Sequence, residues 1–465
     1  MIARSCPLVA LVLLGGCQTQ PESGLPCAAT EPFCVGDFQA VLLGDECRCF
    51  RPFQLPDEGL IGPDAGPVDS GGPDMGPLDV PVRLALGESH SCVVLSGGDV
   101  FCWGNNMQGQ LGTGQETSDP VTTATRVQGL PPGVVDAAVG ATASCARTDR
   151  EVYCWGSQEP PFSQPGLLGM ADVTTSPRAA RVDATFPGVF GLTAGAQHAC
   201  AIVGEDRRLR CWGRNDQGQL GLGDQADRVT PTPVPGLSGV EEVCAGGQHT
   251  CARLADGTVR CWGQENEGRL GNGQSPAVPS FQASPIVVPG LSGVVVLACG
   301  NRHTCALTGD AGDRQTWCWG PNEFGELGND QTTTPVVSPR RLTSPVASRV
   351  DRLALGGRDS GFLGAQSSGF SCGVGDDLAL HCWGVNDRGQ LGIGATNPRS
   401  TEVPQAVATL GPALVDVAAG AGHACAIEDD GGRRRVLCWG LGDQGRLGNA
   451  DSTDQESPVE VRDLP

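Results

Sequence analysis

The chain has 465 residues, 69 of them glycine and 22 cysteine, and a formal net charge of −21. All 31 basic residues are arginine, which excludes lysine-dependent phosphate loops, Schiff-base chemistry and lysine general bases. So negative a chain repels a phosphate backbone, which argues against nucleic-acid binding.

Residues 1–17 read as a targeting segment. Arg4 gives a minimal basic start, Pro7 to Leu14 is a short apolar core, and Leu14-Gly15-Gly16-Cys17 follows. Such a core is too short to span a bilayer as a helix. The pattern resembles a bacterial lipoprotein signal, cleaved before Cys17, whose thiol and amine are then acylated. Two or more acyl chains anchor a protein stably. Gln18, in place of an aspartate, resembles the signal that sorts such proteins to the outer membrane of a Gram-negative cell envelope, periplasmic or surface-exposed.

Residues 18–50 hold Cys27, Cys34, Cys47 and Cys49, the mark of a small stapled segment in which Cys47 and Cys49 are too close to pair with each other. Residues 51–80 turn to proline, glycine and aspartate, as in Gly62-Pro63-Asp64-Ala65-Gly66-Pro67. This composition cannot bury a core and predicts a flexible, acidic linker.

From 81 to 465 the chain repeats. Cys-Trp-Gly occurs seven times, beginning at Cys102, Cys154, Cys211, Cys261, Cys318, Cys382 and Cys438, at spacings of 52, 57, 50, 57, 64 and 56 residues. Another cysteine precedes each copy: Cys92, Cys145, Cys200, Cys251, Cys305, Cys372 and Cys425. A period of this length marks a repeat architecture. In the fourth copy, Val240 to Ala245, Gln248 to Leu254, Val259 to Trp262 and Pro285 to Val288 read as four short strands, with Asp256-Gly257 as a hairpin turn. Four antiparallel strands per unit make one blade of a β-propeller. The paired cysteines then face each other across a hairpin, within disulfide range. Because side chains alternate along a strand, the disulfide should face one neighbouring blade and the tryptophan the other.

Gly-x-x-His-x-Cys, a hairpin, then Cys-Trp-Gly-x-Asn-x-x-Gly-Gln-Leu-Gly, as in Gly195 to Gly221, resembles the repeat of the regulator of chromosome condensation family. The resemblance implies an all-β, seven-bladed propeller over 81–465. A cysteine pair in each hairpin resembles an extracytoplasmic bacterial branch of that repeat. The second repeat departs from the pattern with Ala143 at the histidine position and Pro165-Gly166-Leu167-Leu168-Gly169 in the tail; the sixth has Phe370 at the histidine position.

Cysteine parity agrees with an oxidising compartment. Cys6 leaves with the signal and Cys17 is lipidated; twenty remain, fourteen in hairpins, four near the N-terminus, and Cys244 with Cys299. Those last two are open to an inter-blade bridge or two buried thiols. No zinc spacing appears among the pairs, and no catalytic elbow, metalloprotease helix or calcium loop is present. His90, His198, His249, His303 and His423 share one repeat position, which predicts a structural hydrogen bond and no metal; His381 is expected on a strand surface. Asp256, Asp376, Asp377, Asp429 and Asp430 are expected as turn formers.

These residues predict a non-enzymatic, monomeric, envelope-anchored propeller with no cofactor, binding an extracytoplasmic protein or glycan through its loops. The alternatives are an inhibitor of a secreted enzyme, a role the family resemblance suggests, and an enzyme with a site in the central channel. Guanine-nucleotide exchange, the activity of the family's namesake, needs a cytoplasmic partner and conflicts with the signal. Candidate contact residues are Trp317, as an exposed aromatic or one packed under its own hairpin, and the basic tip Arg433, Arg434, Arg435. Two segments that interrupt the repeat, Pro160 to Thr185 and Asp330 to Phe370, are expected to be loops.

Overall fold

The structure, a computed structural model, describes residues 39–43, 46–50, 79–158, 167–275, 280–310, 313–329, 333–343, 350–358 and 368–465. The chain divides into two compact units, 1–76 and 77–465. In the first, strands Gln39–Leu43 and Glu46–Phe50 pair antiparallel, which places Cys47 and Cys49 on one strand. Cys17, Cys27, Cys34 and most of the linker lie outside the described residues.

The second unit is a seven-bladed propeller. Each blade is a sheet of four antiparallel strands in chain order, spanning 81–126, 136–181, 189–233, 240–287, 294–341, 350–406 and 414–460. The first strand of every blade lines a central channel. Among the described residues no blade borrows a strand from elsewhere in the chain, so ring closure rests on side-chain and backbone contacts between blades 7 and 1. Because strands alternate in direction, two sets of connections share one side of the ring. These are the turn between first and second strands and the long loop between third and fourth; we call this side the upper face. Hairpin tips and inter-blade loops occupy the lower face.

In each blade the two hairpin cysteines are directly opposed, as in Cys200↔Cys211 and Cys251↔Cys261. All seven pairs are bonded, with Cα–Cα distances of 4.0–4.1 Å. The tryptophan of the following blade covers each bridge: Cys200 and Cys211 share a cluster with Trp262, and Cys425 and Cys438 share one with Trp103. All seven indoles of Cys-Trp-Gly are fully buried. At about 150–250 Å² each, removing one from water is worth about 4–6 kcal/mol. The glycine after the tryptophan is required: Gly263 has φ 106°, and a Cβ there would lie 2.5 Å from the Gln248 carbonyl oxygen and 2.7 Å from His249 Cα.

Four expectations change. The fourth strand of blade 4 is Phe281–Val287, starting four residues before Pro285; proline fits there because this is an edge strand. Among their described residues, both interrupting segments contain strands where loops were expected. Thr175–Arg181 is the outer strand of blade 2, Thr333–Arg341 that of blade 5, and Val350–Arg358 the inner strand of blade 6. Edge strands need no continuous apolar run, which hid them. His381 is buried, its Nε2 2.9 Å from Asp377 Oδ2, because the blade 6 hairpin folds over it.

Candidate functional site

Each joint between blades carries one repeated polar device. The Trp Nε1–H of one blade donates to a backbone carbonyl in the Gly-Gln-Leu-Gly loop of the blade before it. Trp155 donates to Gln110 (2.9 Å), Trp262 to Gln219 (2.9 Å), Trp439 to Gln390 (3.0 Å) and Trp103 to Arg446 (2.8 Å). A buried hydroxyl donates to the same carbonyl: Ser144 to Gln110 (3.0 Å), Thr250 to Gln219 (2.8 Å), Ser371 to Glu326 (2.7 Å) and Ser91 to Arg446 (3.1 Å).

The five repeat histidines reach these hydroxyls across the joint. His90 Nε2 is 2.7 Å from Ser144 Oγ, His198 2.9 Å from Thr250 Oγ1, His249 3.0 Å from Thr304 Oγ1, His303 2.9 Å from Ser371 Oγ, and His423 2.7 Å from Ser91 Oγ. Where the hydroxyl hydrogen already serves a carbonyl, the imidazole must donate, which fixes the Nε2–H tautomer. Burial, reinforced by Arg446, pushes His90 down to about 3; burial pushes His198 down to about 4 and, with Arg302, His303 to about 3. These imidazoles are neutral.

The two departures from the repeat are complementary. Blade 2 has Ala143 for the histidine, and the facing residue of blade 3 is Ala199, with no hydroxyl. Blade 6 has Phe370, and blade 7 answers with Ala424. Apolar side chains take the vacated space: a Cβ built on Gly140 would lie 2.2 Å from Leu167 Cδ1, and one on Gly356 2.4 Å from Phe370 Cε1. At Gly246 the corresponding neighbour is His249 Cε1, at 2.2 Å. Histidine and hydroxyl are thus present together or absent together, since either alone would be a buried unpaired polar group. The residue directly after each repeat histidine carried this signal, which the repeat pattern by itself did not expose.

A metal does not fit the joints. A nitrogen of His249 and the sulfurs of Cys251 and Cys299 lie within 4.8 Å of one another, but both sulfurs are bonded, to Cys261 and Cys244. The Cys244–Cys299 bridge, Cα–Cα 5.5 Å, joins the inner strands of blades 4 and 5.

The channel, a cavity of about 260 Å³, is lined chiefly by alanine, glycine and leucine, with Thr193 and Asn301; Glu88 is the charged residue of its described lining. Trp317 is partly buried against the apolar cluster shared by blades 4 and 5, and its Nε1 donates to Thr308 Oγ1 (3.0 Å) in its own hairpin. At the lower face Arg433 pairs with Glu460 (3.3 Å), Arg434 with Asp429 (3.3 Å) and Arg435 with Glu428 (2.6 Å), so the basic tip is matched by carboxylates of its own blade. Asp256 and Asp429 accept backbone N–H groups of their own turns, from Thr258 and Gly432. On the upper face of blade 1 stands Met107, 61% exposed, the most exposed large apolar side chain described. The other six repeats carry Glu159, Asp216, Asn266, Glu323, Asp387 and Asp443 at that position.

Sheet order, joints and channel define a disulfide-stapled, seven-bladed propeller with a histidine–hydroxyl contact at five of its seven blade joints. The chain belongs to the regulator of chromosome condensation family: the description "RCC1-like domain" fits residues 62–362, and RCC1 repeats are matched at 379–427 and 414–446. It is similar to the ultraviolet-B receptor UVR8 of Arabidopsis thaliana, 29% identical over 386 residues, 82% of this chain and 81% of UVR8. The human E3 ubiquitin-protein ligase HERC2 is 27% identical over 374 residues, 78% of this chain and only 7% of that protein. The crystal structure of Prp20p from Saccharomyces cerevisiae shares the fold, with TM-score 0.66 and 22% identity over 83% of this chain and 88% of that one.

Proposed function

We propose that this chain is a non-enzymatic binding propeller that docks an extracytoplasmic protein on its upper face. The observation that carries the reading is Met107. An exposed methionine where the other six repeats place Asp, Asn or Glu is an adaptable apolar contact of the kind enriched at protein interfaces. It favours a protein over a glycan. The structure of Prp20p is of a propeller that binds proteins, Gsp1p and histones. The channel lining, with Glu88 as its charged residue, supplies no acid–base pair to support the enzymatic alternative.

Met107→Asp installs the residue type of the other repeats and should leave the thermal midpoint unchanged. Capture of an envelope or extracellular protein by the wild-type propeller, lost with Met107→Asp, supports the reading. Undiminished capture by that variant overturns it.

Anchoring through Cys17 is part of the same proposal, supported by Leu14-Gly15-Gly16-Cys17 ahead of an acidic linker. Cys17→Ser should move the protein from the membrane to the soluble fraction; unchanged membrane association would exclude a lipid at this position.

A further inference from the structure

Seven of the eight described disulfides are hairpin staples whose cysteines all have 0% exposure, sealed between blades. The eighth differs in place and in access. Cys244 is the penultimate residue of the inner strand Val240–Ala245 of blade 4, and Cys299 ends the inner strand Val294–Cys299 of blade 5. Both are partly exposed, and both line the channel. Their neighbours in the channel wall, Ala245, Gly246 and Gly300, are too small to screen the sulfurs. Among the described residues this is the one covalent tie between blades.

Thiol–disulfide exchange needs a thiolate in line with the sulfur–sulfur bond, so access decides which bridge reacts. We propose that Cys244–Cys299 is a thiol-exchange site, reached through the channel by amino-acid-sized thiols and closed to protein dithiols. A cavity of about 260 Å³ admits the first and excludes the second.

In the first step the thiolate of the small molecule attacks one Sγ. The Cys244–Cys299 bond breaks, its electron pair leaves on the other sulfur, and that thiolate takes a proton from water. The protein then carries a mixed disulfide and one free thiol. A second small thiolate attacks the small molecule's sulfur in the mixed disulfide, releasing the oxidised dimer and the second cysteine. Two small thiols are oxidised and one protein disulfide is reduced. In the closed bridge the Cys299 sulfur lies within 4.8 Å of a His249 ring nitrogen, and Nδ1 of that ring has no hydrogen-bond partner. The blade 4–5 joint keeps its polar contacts, His249 with Thr304 and Trp319 Nε1 with the Arg269 carbonyl (3.1 Å), so the propeller remains folded when the bridge opens.

The test exposes the folded full chain to increasing free cysteine at mildly alkaline pH, quenches with acid, and maps modified and unmodified peptides without reduction. Cysteinylation should appear at Cys244 or Cys299 at thiol concentrations about tenfold below those that touch any hairpin pair. A reduced thioredoxin-type protein at equal thiol concentration should leave the bridge closed. The Cys244→Ser/Cys299→Ser double variant should keep the far-ultraviolet spectrum of the wild type and take up no cysteine in that range. Labelling of hairpin cysteines at the same or lower thiol concentration overturns the proposal. So does a Cys244–Cys299 bridge that opens only in denaturant, or one that the protein dithiol opens as readily as cysteine does.

Discussion

His423 Nε2 lies 2.7 Å from Ser91 Oγ, a residue 332 positions earlier in the chain, and this contact closes the ring. The same seam carries the Trp103 indole on the Arg446 carbonyl (2.8 Å) and the Leu84 N–H on Asp416 Oδ2 (2.8 Å). Blade 7 therefore meets blade 1 through the device that joins blades 1 and 2 or 3 and 4. A ring closed this way needs no shared strand, because the last joint carries the same cross-blade hydrogen bonds as the joints within the chain.

The histidine–hydroxyl contact predicts a strong coupling across a joint. Thr250→Val leaves His198 Nε2 buried without an acceptor and should cost about 1–3 kcal/mol. His198→Ala should cost a similar amount, through lost packing. The double variant should cost clearly less than the sum, because with both side chains apolar no buried polar group is left unpaired, as at the preceding joint, where Ala143 faces Ala199. Urea unfolding of the four proteins measures this; strict additivity would show that the contact contributes nothing.

Gly246 marks how closely the imidazoles are seated. A Cβ there would lie 2.2 Å from His249 Cε1 and 2.6 Å from the Gly300 carbonyl oxygen. Gly246→Ala should therefore destabilise by about 1–3 kcal/mol through overpacking alone. A drop in the thermal midpoint of several degrees is expected; no drop would mean that the joint has slack.

Each hairpin bridge closes a loop of about ten residues. Cys200→Ser/Cys211→Ser should cost about 2–3 kcal/mol in the chain-entropy picture, with the fold retained by the other blades. Loss of all tertiary signal in this variant would make a single staple essential to folding rather than additive.

The joint histidines have a signed dependence on pH. Burial holds His90 and His303 at about 3 and His198 at about 4, all below the ordinary 6.5. A folded-state value below the unfolded one means that unfolding takes up protons. Their stabilisation is complete above 6.5, begins to be lost as pH falls past that value, and is gone once pH falls through 3 to 4. Glu326, raised by burial to about 7, runs the other way between 4.5 and 7. The clean readout is therefore the imidazole resonances themselves. In the folded protein they should stay fixed from pH 7.5 to 5, and a midpoint near 6.5 at any joint would show that histidine to be solvated.

Much of this protein can be read from its residues alone. Cys-Trp-Gly at a regular spacing determines seven blades, because each glycine must take a positive φ and each indole must be buried between sheets. The cysteine pairs are equally legible, since hairpin register sets opposed residues within bonding distance. Legibility fails where partners come from different repeats. His90 meets Ser144 and Met107 stands exposed where its six counterparts are polar or acidic, neither of which follows from local pattern; Cys244 meets Cys299, the bridge being one of two readings that the sequence left open. Strand pairing is periodic and shows in the order of residues, whereas the joints are set by how neighbouring sheets pack. That packing decided which histidines are neutral, which basic residues are already paired, and which one disulfide faces the channel.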